Sequence, residues 1–156
     1  MKYSMRILAV ATAATLAVSA NAGSHNLVTA DVNDPVTLRI NIMQNIGAAT
    51  GLSAGMLKWE VPFDPITAQA ALATINTGAL ALAGLFPAGA AENMRSTAGP
   101  AIWSDTAGFN TAMAKFIADS SAAKAAAPGT IDEFEAVFTE LAGNCKACHK
   151  SYRIKR

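Results

Sequence analysis

From position 33 onward apolar residues recur every three or four places, the period of a helix that buries one side, and nowhere do they alternate as in a half-buried strand. Four segments carry the pattern. The first opens at Asn33-Asp34-Pro35, where Asp34 suits the cap and Pro35 the first helical position, since its missing N–H would have no partner there. It runs to about residue 58, with Val36, Ile40, Met43 and Gly47 on one stripe and Arg39 beside it. The second opens in the same way at Asp64-Pro65, continues through Ala68, Leu72, Ile75, Ala79 and Leu82, and stops near Phe86-Pro87. Trp59, in the link between them, is expected to pack between helices. After a loop over 88–100, the third segment spans about 101–126, with Ile102, Phe109, Met113, Phe116 and Ile117 as its apolar face, and Pro128-Gly129 breaks it. The fourth begins with a capping box, Thr130 and Glu133, and acids in its first turn suit the positive end of the helix dipole. Phe134, Phe138, Leu141, Cys145, Cys148 and Tyr152 then form one stripe. Long helices with short links predict an all-α fold, an antiparallel four-helix bundle.

The first 32 residues do not share this pattern. Lys2 and Arg6 precede an apolar run from Ile7 to about Val18, which ends in Ala20-Asn21-Ala22. A charged start, a short apolar stretch and an A-x-A site read as a secretory signal peptide over 1–22, leaving a single domain over 23–156. A membrane-spanning helix needs about 20 apolar residues, more than this run offers. The stretch over 23–32 reads as a flexible lead-in, and His25 within it as a solvated tail residue. Cleavage would remove Lys2 and Arg6 and no acid, turning a formal net charge of +1 into −1. Export with no further lipid-facing segment predicts the periplasm. The length of 156 suits one domain, and with charged residues at 15% there is neither a disordered composition nor a basic footprint for nucleic acid.

The chemistry is concentrated in Cys145-Lys146-Ala147-Cys148-His149. Cysteine appears only there, and His149 is one of two histidines. C-x-x-C-H is the signature of covalent c-type haem attachment. Thiols three residues apart sit about one helical turn apart, so both can add to the two vinyl groups of one porphyrin, while the adjacent histidine offers its imidazole to the iron. Three rivals are weaker. A disulfide between Cys145 and Cys148 would close a tiny loop and stabilise little. A thioredoxin-like pair wants a neighbouring βαβ pattern, and a zinc site lacks a fourth ligand.

CKACH followed by Ser151-Tyr152-Arg153 on the last helix of an exported bundle resembles the class II cytochromes c: cytochrome c′ and its low-spin relatives of the c-556 type. The resemblance covers the whole chain after the leader. It includes Arg39 four residues before Met43, the Leu85-Phe86-Pro87 ending of the second helix, and Pro100, Ile102 and Trp103 ahead of Phe109. Lys150 departs from the acid frequent in the family.

The resemblance implies that a first-helix side chain faces the distal haem surface, and that place falls on Met43. In c-556 relatives a methionine there binds iron; in cytochrome c′ the iron is five-coordinate and open to small gases. A methionine can also simply fill core space. Met56 is 13 residues further along the same helix, Met94 falls in the loop, and Met113 fits a core stripe. The stretch over 57–64 and Leu85-Phe86-Pro87 look more like the low-spin relatives. Arg39 is expected near a haem propionate, Arg153 beside the proximal side, and Phe86 and Trp103 against the haem. Lys146, Lys150, Arg153, Lys155 and Arg156 form a basic rim suited to an acidic redox partner, and the resemblance admits a homodimer through the first two helices. No catalytic residue is assigned. Two function classes stand at this point: electron carrier and gas-binding module.

Overall fold

The computed structural model describes residues 33–88, 90 and 95–155. The expected leader, the lead-in with His25, Met94 and Arg156 of the basic rim lie outside them. Among the described residues five α-helices follow in order: α1 (Pro35–Leu57), α2 (Pro65–Leu82), α3 (Ala101–Ser104), α4 (Thr106–Ala126) and α5 (Ile131–Tyr152). The long helices α1, α2, α4 and α5 form the antiparallel four-helix bundle, with α1 on α2, α2 on α4 and α4 on α5. Among the described residues no helix is long and apolar enough to cross a membrane.

Each long helix starts where its cap dictates. Asp34 accepts from the N–H groups of Val36 and Thr37 at 3.1 and 3.2 Å, and Asp64 accepts from that of Thr67 at 2.7 Å. Both satisfy donors that have no partner inside the helix. The Thr130–Glu133 capping box is present on α5. The core lies where the stripes of α2, α4 and α5 meet, with Leu72, Ile75, Leu82, Phe134 and Leu141 all at most 2% exposed. Phe134 stacks on Phe138 at 5.6 Å and meets Phe63 at 5.8 Å. At Gly78 a Cβ would come within 2.7 Å of Ile46, so this glycine allows α1 and α2 to approach closely.

Three details depart from the periodicity. The third helical segment is interrupted at Asp105, whose backbone is non-helical (φ −124°, ψ 60°) and whose carboxylate accepts from the Gly108 N–H at 3.1 Å. An aspartate that bonds the backbone ahead of it starts a new helix more readily than it continues the old one. The second helix ends at Leu82, short of Phe86-Pro87. Trp59 does not pack between helices: it is 77% exposed and sits at φ 62°.

The Trp59 backbone closes α1 in a Schellman arrangement. Its N–H donates to the Met56 carbonyl at 3.2 Å, and the Glu60 N–H donates to the Gly55 carbonyl at 2.9 Å. The left-handed position usually holds glycine, and another residue there costs roughly 1–2 kcal/mol. Trp59→Gly should therefore raise stability by about 0.5–1 kcal/mol, after allowing for the larger unfolded-state entropy of glycine. Urea unfolding followed by circular dichroism measures it. A lower stability would mean that the Trp59 side chain makes contacts that outweigh the backbone strain.

Candidate haem-binding site

A cavity of about 490 Å³ opens between α1 and α5 and is closed at the side by segment 95–98. Such a volume lies in the range of cofactor pockets. From α1 come Arg39, Ile40, Met43, Gln44 and Gly47, from α5 come Cys148, His149 and Tyr152, and Arg153 follows directly after α5. Leu82, Phe86 and Ile102 complete the apolar lining. The stripe of α1 assigned to the core thus has two destinations. Val36 is buried, but Ile40, Met43 and Gly47 face the cavity, and the core side of α1 is carried by Ile46, Ala49 and Met56. Met56 is fully buried and Met113 is 7% exposed, so both are core residues.

Cys148 and His149 reach the cavity because α5 continues unbroken to Tyr152. Cys145, one turn earlier, is half-buried, and no disulfide joins it to Cys148. Burial pushes the Cys145 thiol above its ordinary value, and burial followed by the neighbouring Cys145 does the same for Cys148. Burial, and then the Arg153 charge, hold the His149 imidazole below its ordinary 6.5. The neutral form is the one that ligates metal.

Arg39 is 5% exposed. It donates to the Leu85 carbonyl at 2.7 Å and the Ser96 hydroxyl at 3.3 Å, and its guanidinium lies 4.7 Å from the centre of the Phe86 ring. The ion pairs among the described residues do not include it. Burial lowers its pKa, yet an arginine keeps its charge. Its hydrogen-bond partners are neutral and the Asp34 carboxylate acts on it without an ion pair, so this buried cation at a cavity wall is suited to an incoming anion. Among the described residues the cavity is lined by three arginines, Arg39, Arg95 and Arg153, and by no Asp or Glu.

Phe86 packs edge-on to Phe109 at 4.8 Å, and Phe109 meets Tyr152 at 5.3 Å. Both cavity walls are thereby anchored to one core ring. The Tyr152 hydroxyl donates to Asp105 at 3.1 Å. Trp103 does not line the cavity; Ile102 does, and Trp103 instead donates its indole N–H to the Pro87 carbonyl at 3.0 Å, bracing the segment behind Phe86. Arg95 and Tyr152 line the cavity without having been singled out as site residues. Tyr152 was visible as the last member of the α5 stripe and within the Ser151-Tyr152-Arg153 stretch of the resemblance, without a role at the site, and Arg95 stands in a loop without periodic signal.

The donor set fits haem c: two thiols one turn apart, a neutral imidazole beside them, apolar walls for a macrocycle and buried positive charge for carboxylates. Residues 34–153 match the family model described as Cytochrome C′. The chain belongs to the cytochrome c′ family. Its cofactor is haem c, iron protoporphyrin IX joined by thioethers. It is 37% identical over 121 residues to a cytochrome c-556 of Agrobacterium tumefaciens, spanning 78% of this chain and 98% of that protein. It is also 37% identical over 126 residues to a cytochrome c′ of Rhodopseudomonas palustris, spanning 79% of this chain and 84% of that protein. A solved structure of Rhodopseudomonas palustris cytochrome c′ superposes with a TM-score of 0.74 at 35% identity, covering 79% of this chain and 98% of that one. The family is therefore represented under both names at equal similarity.

Proposed function

We propose that this member of the cytochrome c′ family is an electron carrier, not an enzyme, with haem held by Cys145 and Cys148 and iron by His149 and Met43. The observation that supports it is the meeting of Met43, from α1, and His149, from α5, at one cavity. Bound haem supplies a one-electron couple. The chain supplies the rest. His149 and Met43 would keep the iron six-coordinate in both oxidation states, so little reorganises on electron transfer, and a thioether raises the potential. Arg39 would pair with a propionate, and Arg153 would flank the proximal side. Phe86 and Ile102 would exclude water from the ring face. The ferric absorption spectrum tests this ligand set: low-spin bands support it, and high-spin bands reject Met43.

A second reading is a five-coordinate, gas-binding protein. The relative named cytochrome c′, as similar as the one named c-556, favours it.

Three further parts belong to the proposal. Residues 1–22 form a signal peptide that directs residues 23–156 to the periplasm. The mature chain should begin at Gly23, and a periplasmic mass that still includes Met1 would contradict export by cleavage. Lys146, Lys150, Arg153 and Lys155 are exposed at the end of α5 and would steer an acidic redox partner to the haem edge. Exposed Leu52 on α1 and Leu80 on α2 offer an apolar face for a homodimer.

A further inference from the structure

One wall of the cavity belongs to no helix. Segment 95–99 crosses from α1 to α5 and is fastened to both. At α1, the Arg95 guanidinium donates to Asp34 Oδ2 at 2.8 Å and to Thr37 Oγ1 at 2.9 Å. Asp34 is the carboxylate that caps α1, so one group holds both the helix start and the segment. Next along, the Ser96 hydroxyl accepts from Arg39 at 3.3 Å and from the Ala98 N–H at 3.1 Å. At α5, the Gly99 N–H donates to the Tyr152 carbonyl at 2.7 Å, and the Ile154 N–H donates to the Thr97 carbonyl at 2.9 Å. A Cβ at Gly99 would stand 3.1 Å from that Tyr152 oxygen, so glycine allows the segment to lie this close. Meanwhile α1 packs chiefly on α2, and α5 chiefly on α4. The segment is thus a direct tie between the wall bearing Met43 and the wall bearing His149.

We propose that Arg95 is a positioning residue: through Asp34 and Thr37 it fixes the start of α1, and with it Met43, relative to His149, and so sets how readily an outside ligand reaches the iron. The proposal rests on haem occupying this cavity. It does not require Met43 to be a ligand, because a bulky unligated Met43 held over the iron would hinder an incoming molecule as well. The Arg95 side chain is 56% exposed and that of Asp34 24%. A pair this open to water is weak and screened by salt, so the effect is modest and dependent on ionic strength.

The test is carbon monoxide association with the ferrous holoprotein, followed by flash photolysis. Arg95→Met should speed association about threefold to fivefold, the range a partly exposed ion pair can supply. The wild-type rate should rise by a similar factor between low and high salt, as the Debye length falls from about 30 to about 3 Å. The Arg95→Met rate should not respond to salt, and Arg95→Lys should restore part of the slow rate. Gln69→Ala, which removes the bond from Gln69 to the Lys124 carbonyl at the other end of the bundle, should leave the rate unchanged. A high-spin wild type would reject Met43 as ligand, yet the Arg95 and salt effects on the rate would still support positioning. An Arg95→Met protein with the wild-type rate and the wild-type salt response would overturn it. Should that variant fail to fold, the salt response of the wild type and the Arg95→Lys rate decide the matter alone.

Discussion

A chain with Cys145→Ser and Cys148→Ser together should lose its haem completely on a denaturing gel stained for haem, while the wild type keeps it. A thioether survives denaturation because it is covalent; coordination by His149 alone does not, since it depends on the folded cavity. Either single variant should keep one thioether and stay stained. The double variant should also be less stable. Ile40, Met43, Leu82, Phe86 and Ile102 face a cavity of about 490 Å³, and without the macrocycle that apolar surface has no partner. Wild-type colour that leaves with acidified solvent would reject attachment through these residues.

The attachment motif was legible because its chemistry demands neighbours in sequence. Two vinyl groups of one ring call for two thiols a turn apart, and the iron calls for a histidine beside them. The helices were legible for a similar reason: Asp34, Asp64 and Thr130 announce their starts, and the stripes of α2 and α5 give the face that became the core. The limits are equally physical. Periodicity reports that a face is apolar, not what covers it. A porphyrin presents an apolar surface much as a neighbouring helix does, so Ile40 and Met43 read like core residues although they face the cavity. Trp59 was misread because an exposed tryptophan in the left-handed region runs against both burial and backbone preference. Trp103 and Ile102 are adjacent, and only the turn of α3 decides that Ile102 faces the cavity. Segment 95–99 was silent because its role is entirely tertiary: Arg95 sits 61 residues from Asp34 along the chain.

Met43→Ala should convert a low-spin ferric protein into a high-spin one and remove the near-infrared sulfur-to-iron charge-transfer band. The reduction potential should fall by on the order of 100 mV, since a ligand that prefers ferrous iron about a hundredfold is worth about 120 mV for one electron. Carbon monoxide should then bind the ferrous form freely, because no ligand has to leave first. The haem itself should remain, held by Cys145, Cys148 and His149. The fold should tolerate the change because Met43 faces the cavity and not the packed centre, where Leu72, Ile75, Phe134 and Leu141 lie. An unchanged potential and spectrum in Met43→Ala would assign Met43 to packing alone.

The most direct test of the carrier reading is the absorption spectrum of the ferrous wild-type protein before and after carbon monoxide is added. With iron already held on both sides by His149 and Met43, the spectrum should change only slowly, because the Met43 sulfur has to leave first. Immediate and complete conversion to a carbon monoxide complex would contradict the carrier reading, and the protein would be a five-coordinate gas-binding cytochrome c′.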